Sequence, residues 1–405
     1  MTTAAARLQT SSKPYAGPES TATTARSERV ASLDIVRGVV MILMAIDHVR
    51  VYSGLPAGGP TPGIFFTRWV THFVAPAFVF LAGTGAYLHG TKLRDTRALS
   101  RFLLTRGLWL ILLELTVIRV AWTFNFDFAH YLLAGVIWMI GWCMVIMSAL
   151  VHLPLVVNAI GGVAIIALHN VTDFFPAAMS ALGKGGMGWL WKILYLGGGF
   201  QIGNNGPPLL VLFVIVPWIG VMMAGYAFGV VMRMPVERRR SISLRLGGGA
   251  TIAFIVLRAL DVYGDPRHWH TALAFLATTK YPASLLFLLM TLGPMFIGLA
   301  VAERATGRVA RVFATFGRVP FFYYLLHIPV IHAAACVVSL IREGAVNPWL
   351  FTNHPMAPGP VPAGYTWSLS LLYLVFTIVV VLLYFPCRWF ARLKATRRST
   401  LLSYL

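Results

Sequence analysis

Residues 32–50 read SLDIVRGVVMILMAIDHVR. The centre of this stretch is unbroken apolar sequence, yet Asp34, Arg37, Asp47 and His48 stand towards its two ends. Such a run predicts a helix that crosses a bilayer, because ~20 helical residues cover ~30 Å of hydrocarbon. Further apolar runs follow it along the chain. The ten expected spans are 30–52, 69–89, 102–122, 131–150, 153–170, 209–232, 247–263, 282–302, 319–340 and 367–388, with only a corner at 152–154 between the fourth and fifth. The runs are continuously apolar rather than alternating, so the expected class is all-α, a polytopic transmembrane helical bundle, and not a β-barrel.

Composition agrees. Of 405 residues, 58% are hydrophobic and 11% charged, whereas soluble domains carry roughly a quarter charged residues. A water-soluble fold is excluded. The net charge of +20, from 33 Lys+Arg against 13 Asp+Glu, would suggest nucleic acid in a soluble protein. Sorted by the ten spans, however, 23 of the 33 basic residues fall in the two tails and the loops after spans two, six and eight. Eight fall on the opposite side, and Arg37 and Arg258 lie within spans. The positive-inside rule then predicts both termini in the cytoplasm, with the charge facing anionic head groups and phosphate-bearing ligands. No nucleic-acid partner is expected, since aromatics are not interleaved with base-reading polar residues.

Residues 1–28 are rich in Ala, Thr and Ser without an apolar stretch. They read as a disordered cytoplasmic tail, not a signal peptide. Residues 29–390 form the transmembrane domain, and 391–405 a basic cytoplasmic tail. Cys143, Cys336 and Cys387 form no CxxC pair and have no metal-like spacing to histidine. They are expected as small buried hydrophobes, and no metal is expected.

Ionisable groups within a span are costly, which makes them functional candidates. Asp34 and Arg37 are three apart and can pair on one helix face. Arg37 and His48 are eleven apart, close to three turns, which places them on one face about 16 Å apart along the axis. Histidine accepts and returns protons near neutral pH, and arginine clamps phosphate or carboxylate. The third span, RGLWLILLELTVIRV, carries Glu114 among leucines; Arg37, Arg119 and Arg258 are its candidate cations. The seventh ends in LRALDVYGDPRHWH, with Arg258 three residues from Asp261 and with His268 and His270 in the next loop. Lys280 and Tyr281 precede the eighth span. The ninth holds Tyr323, Tyr324, His327 and His332, with Tyr323 and His327 four apart on one face. Each alone suits a structural role; clustered near one side of the membrane they suggest a polar cavity.

The run RGVVMILMAIDH (37–48) resembles the opening signature of the transmembrane acyltransferase superfamily. That group includes the acyltransferase-3 proteins, whose first helix has an arginine, ten residues and a histidine, and the heparan-α-glucosaminide N-acetyltransferase catalytic-domain family. Arg37 and His48 meet that spacing. The chain is most similar to bacterial membrane proteins of the latter type. The likeness extends through THFVAPAFVFLAGTGAYL (71–88), LLTRGLWLILLELTV (103–117), PWIGVMMAGYAFG (217–229), TTKYPASLLFLLMTLGPM (278–295) and GRVPFFYYLLHIPVIH (317–332), and covers roughly residues 29–335. The chain departs from acyltransferase-3 proteins in lacking a plain arginine pair on the third helix, where Arg101 and Arg106 stand instead.

The resemblance implies a multi-pass protein of the bacterial inner membrane. It would move an acetyl or other short acyl group from cytoplasmic acetyl-CoA, or another acyl-CoA, to a hydroxyl or amine of an envelope glycan or lipid-linked sugar. His48 would be base or nucleophile, with Asp47 or another group fixing its tautomer. Arg37, Arg101 and Arg106 would hold CoA phosphates. His72, Tyr323, His327, Glu114 and Lys280 form a second rank of catalytic or acceptor-binding candidates. No P-loop or GxGxxG lies between a strand and a helix, and the glycines near 161, 185 and 197 do not form one. A homodimer is compatible with this reading. Rival readings are a transporter or flippase using the same charges, which calls for inverted repeats that residues 30–170 and 209–390 do not display, and a non-catalytic envelope-assembly subunit.

Overall fold

The computed structural model describes residues 30–355 and 359–397; the expected tail at 1–28 and the last residues, 398–405, lie outside the described residues. Each of the ten apolar runs contains a helix. These are α1 (Ala31–Ser53), α2 (Pro62–Leu93), α3 (96–123), α4 (Val136–Leu150), α5 (Leu155–Phe174), α6 (Val216–Arg233), α7 (Val236–Leu260) and α8 (Leu285–Ala302). After the amphipathic helix α9 (Gly307–Arg318) come α10 (Pro320–Glu343) and α11 (Leu369–Thr396). Seven of these helices are long and apolar enough to span a bilayer by length and composition. Of the remaining spans, α1 and α3 are long helices interrupted by charge, and α4 is apolar but short. The protein is a multi-pass helical membrane protein.

Short polar residues start several helices by accepting an otherwise unpaired first-turn N–H. Asp95 accepts from Arg97 N at 2.8 Å, Ser284 from Phe287 N at 3.1 Å and Ser368 from Leu371 N at 3.2 Å. Gly344, at φ 75°, ends α10 in the left-handed conformation that glycine adopts without steric cost. Neighbouring helices are joined through small residues, as expected where lipid tails leave close packing to drive association. The α2 and α6 pair meets at Gly83 and Gly225, the α3 and α4 pair at Gly107 and Gly141, and the α7 and α8 pair at Gly247 and Gly293. Helix α1 is central, packed by α2, α8, α9, α10 and α11. Apolar side chains on α5, α7 and α11, among them Ile160, Ile252 and Leu382, face outward where lipid would cover them. Cys143 and Cys387 are buried and Cys336 is half-buried.

Several expected boundaries move. The fourth run, 131–150, opens with β1 (Leu132–Ala134), and the sixth, 209–232, opens within β3 (Pro208–Val211). With β2 (Gly198–Gln201) they form a small mixed sheet in the order β1, β3, β2. Its buried leucines and valine extend the hydropathy of the adjoining helices, so composition merges strand with helix. Helix α11 continues through the expected boundary at 390 to Thr396. Helix α9 is a further addition, tucked against α1 at the arginine-rich end of the bundle.

Candidate active site

A cavity of about 480 Å³ opens near the C-terminal end of α1. Its wall includes Asp47, His48, Arg50, Arg68, Glu114, Trp122, Lys280, Tyr281, Tyr324, Trp349 and His354. The sheet contributes Leu133, with Leu212 and Phe213 just after β3.

At its wall the Nδ1 of His48 lies 2.7 Å from Nε2 of His327. The two rings stack at 4.8 Å, and the edge of Trp122 holds His48 from another side at 4.7 Å. On the far side of His327, Nδ1 lies 2.6 Å from the Tyr324 carbonyl oxygen. A carbonyl can only accept, so His327 Nδ1 carries its proton and the neutral ring presents a bare Nε2. His48 therefore donates from Nδ1, which leaves the lone pair on His48 Nε2. This two-bond chain defines a histidine tautomer with a basic nitrogen.

Asp47 does not take part in that chain. Its carboxylate accepts from Arg50 Nε at 2.7 Å and lies 4.0 Å from Arg68 Nη1. The group that fixes the His48 tautomer is thus His327, the alternative to Asp47. Tyr323 stacks on His327 at 5.3 Å, as four-residue spacing on one helix face requires, but the neighbouring Tyr324 is the one that lines the cavity. His72 is buried against Phe287 and lies outside the cavity wall.

Glu114 reaches the cavity wall without any of its three expected cations. Its carboxylate instead accepts from Ile137 N at 3.2 Å in the first turn of α4, where the N-cap residue, Gly135, has no side chain to offer. The otherwise unpaired first-turn N–H groups give the carboxyl oxygens their partners. A π-helical turn at Glu114–Ile118 shifts the register of α3 at this point. The expected cations have other work. Arg119 binds the Tyr131 and Asp127 carbonyls and the side chains of Thr123 and Asn353, pinning the loop after α3. Arg258 donates to the carbonyls of Arg267, Ala274 and Phe275, and its guanidinium lies 3.9 Å from Asp261. His268 pairs with Asp261 at 2.9 Å, exposed, and His270 is exposed too. His332 lies between Tyr52 and Phe124.

Arg37 meets Asp34 at 3.7 Å and donates to the Leu81 carbonyl of α2 at 3.1 Å. It sits at the opposite end of α1 from the cavity. Arg101 is exposed on α3, and Arg106 lies over the Phe102 ring at 5.9 Å. The structure does not bring these three arginines to the cavity.

The polytopic bundle thus sets a paired histidine, His48 with His327, at the wall of a cavity. The family described as heparan-alpha-glucosaminide N-acetyltransferase, catalytic, matches residues 29–264. The chain belongs to this family. It is thereby a membrane acetyltransferase family member, and the family uses acetyl-CoA as its donor in general. No curated protein matches the chain. The family match takes in Asp47, His48, Arg50, Arg68, Glu114 and Trp122, whereas Lys280, Tyr324, His327, Trp349 and His354 come from beyond it.

Sequence reasoning missed Arg50, Arg68, Trp122, Trp349 and His354 as cavity residues. Arg50 and Arg68 carried a signal: basic residues at the ends of apolar runs, on the sparsely charged side. His354 carried none, since it lies in the loop between α10 and α11. Burial beside Trp349, whose ring stacks on it at 3.5 Å, pushes its imidazole down to about 4, so it is neutral at ordinary pH.

Proposed function

We propose that the protein transfers an acetyl or other short acyl group from acyl-CoA to a hydroxyl or amine of an envelope glycan or lipid-linked sugar, with His48 as general base. The observation that carries this reading is the Tyr324–His327–His48 chain, which leaves a basic Nε2 on a residue that lines the cavity. The acceptor hydroxyl or amine gives its proton to that nitrogen as it bonds to the thioester carbonyl carbon. The carbon–sulfur bond then breaks, and the departing CoA thiolate takes the proton back from His48. Such base assistance is worth ~100 to 10,000-fold in rate.

The donor enters from the arginine-rich end, with both termini in the cytoplasm of a bacterium and the protein in its inner membrane. Arg37, Arg101 and Arg106 lie on that side and supply charge-assisted contacts for CoA phosphates. The aromatic walls at Trp122, Tyr281 and Trp349 suit the faces of a sugar.

The test is transfer of radiolabel from acetyl-CoA by the purified full-length protein. His48→Ala is expected to abolish transfer with expression and melting temperature unchanged; retained transfer overturns the assignment. Arg37→Ala is expected to raise the acetyl-CoA requirement.

A further inference from the structure

The cavity wall carries three basic side chains, Arg50, Arg68 and Lys280, and two carboxyl groups, Asp47 and Glu114. Arg50 is engaged, with Nε on Asp47 at 2.7 Å and Nη1 on the Leu55 carbonyl at 2.9 Å. Glu114 is turned to the first turn of α4. Arg68 touches Asp47 only at 4.0 Å, and among the described residues its guanidinium makes no hydrogen bond. Lys280 Nζ lies over the rings of Phe213 at 5.7 Å and Tyr281 at 5.2 Å, and among the described residues it has neither a hydrogen bond nor a carboxylate within 4.0 Å. Both side chains line the same cavity as His48, and Arg68 reaches the residue next to His48 in sequence. Two cations that lack a hydrogen-bonded carboxylate at the edge of a membrane domain are expensive unless a ligand uses them.

We infer that Arg68 and Lys280 form a subsite for a phosphate carried by the acceptor. A guanidinium fork binds phosphate oxygens in pairs, and an ammonium adds a point charge. A phosphomonoester carries about −1.5 to −2 charge near neutral pH, which matches the Arg68 and Lys280 pair; a single carboxylate does not. Tyr281 and Phe213 hold the ammonium from one face, leaving its remaining donors for the ligand. The acceptor is thus a sugar phosphate, fixed by its phosphate while its hydroxyl or amine meets His48. This deepens the proposed acyl transfer and rests on it for the identity of the sugar.

The experiment titrates the full-length protein, in phosphatidylcholine nanodiscs, with glucosamine 1-phosphate and with glucosamine, following tryptophan fluorescence; Trp122 and Trp349 report from the cavity wall. The phosphorylated sugar is expected to bind about tenfold tighter or more, and Arg68→Gln and Lys280→Gln are each expected to lose about tenfold of that, the scale of one charge-assisted hydrogen bond. Affinity for glucosamine should be unchanged. The charge-keeping variants Arg68→Lys and Lys280→Arg should retain the preference, which separates loss of charge from loss of fold. Equal affinity for the two sugars overturns the inference, as does a preference that survives in the double Gln variant. So does a preference abolished by phosphatidylglycerol in the disc, which would make a lipid head group the ligand. Preference for the phosphate without acetyl transfer would remove the proposed reaction and keep the subsite; transfer to glucosamine without that preference would do the reverse.

Discussion

His327 decides which nitrogen of His48 is basic. The Tyr324 carbonyl fixes the proton on one side of the His327 ring, and the other side then accepts from His48. His327→Leu leaves His48 Nδ1 without an acceptor and its tautomer unset, so acetyl transfer should fall by ~100-fold, the lower end of a general-base contribution. His327→Gln supplies an amide oxygen that can accept from Nδ1, and it should recover much of the loss at an unchanged melting temperature. If Gln is no better than Leu, His327 is a packing residue and the positioning role is wrong. The sequence showed both histidines, because charge-bearing groups stand out in apolar runs. It did not show their pairing across 279 positions, nor that the cavity lies on the Tyr324 side of α10 rather than the Tyr323 side.

At the scale of elements, the site depends on where α1 stands, and α1 is set by a close crossing with α9. A Cβ on Gly38 would lie 1.8 Å from the Phe313 carbonyl oxygen, and one on Gly317 would lie 1.7 Å from that of Asp34. The backbones touch, and only glycine allows it. Gly38→Ala must therefore part the helices, and it should destabilise the protein by about 1–3 kcal/mol, as overpacking does. Gly248→Ala on α7 has nothing within 4 Å, and it should be neutral or stabilising by about 0.5–1 kcal/mol, the gain of alanine over glycine in a helix. Melting temperatures of the two variants in one detergent check the contrast; similar falls in both would mean the crossing is not tight. The helices of the ten runs were legible because bilayer thickness sets a length that hydropathy reveals. Helix α9 was not, since it is short and basic and its buried stripe of Ala310, Ala314 and Phe316 has meaning only against α1. The sheet was hidden for the opposite reason: apolar strands of a few residues abut apolar helices.

Across the whole molecule, polar contacts divide into two ends. Ser32 and Arg239 both reach Glu303 at 2.6 Å, Arg304 pairs with Glu237 at 3.1 Å, and Arg37 and Arg318 flank Asp34. These join the starts of α1 and α7 and the ends of α8 and α9 into one charged face. The cavity, the sheet and the loop before α11 lie at the other. The excess of arginine on the first face predicts, by the positive-inside rule, that this face lies in the cytoplasm. Arg97, after α2, and His268, after α7, are exposed on opposite faces. A membrane-impermeant maleimide applied to intact cells should therefore label His268→Cys and not Arg97→Cys, with the unsubstituted protein as background for Cys336. After permeabilisation both should label. The reverse pattern would turn the cavity towards the cytoplasm, and an acceptor in the envelope could then not reach His48, whatever its ring nitrogens can do.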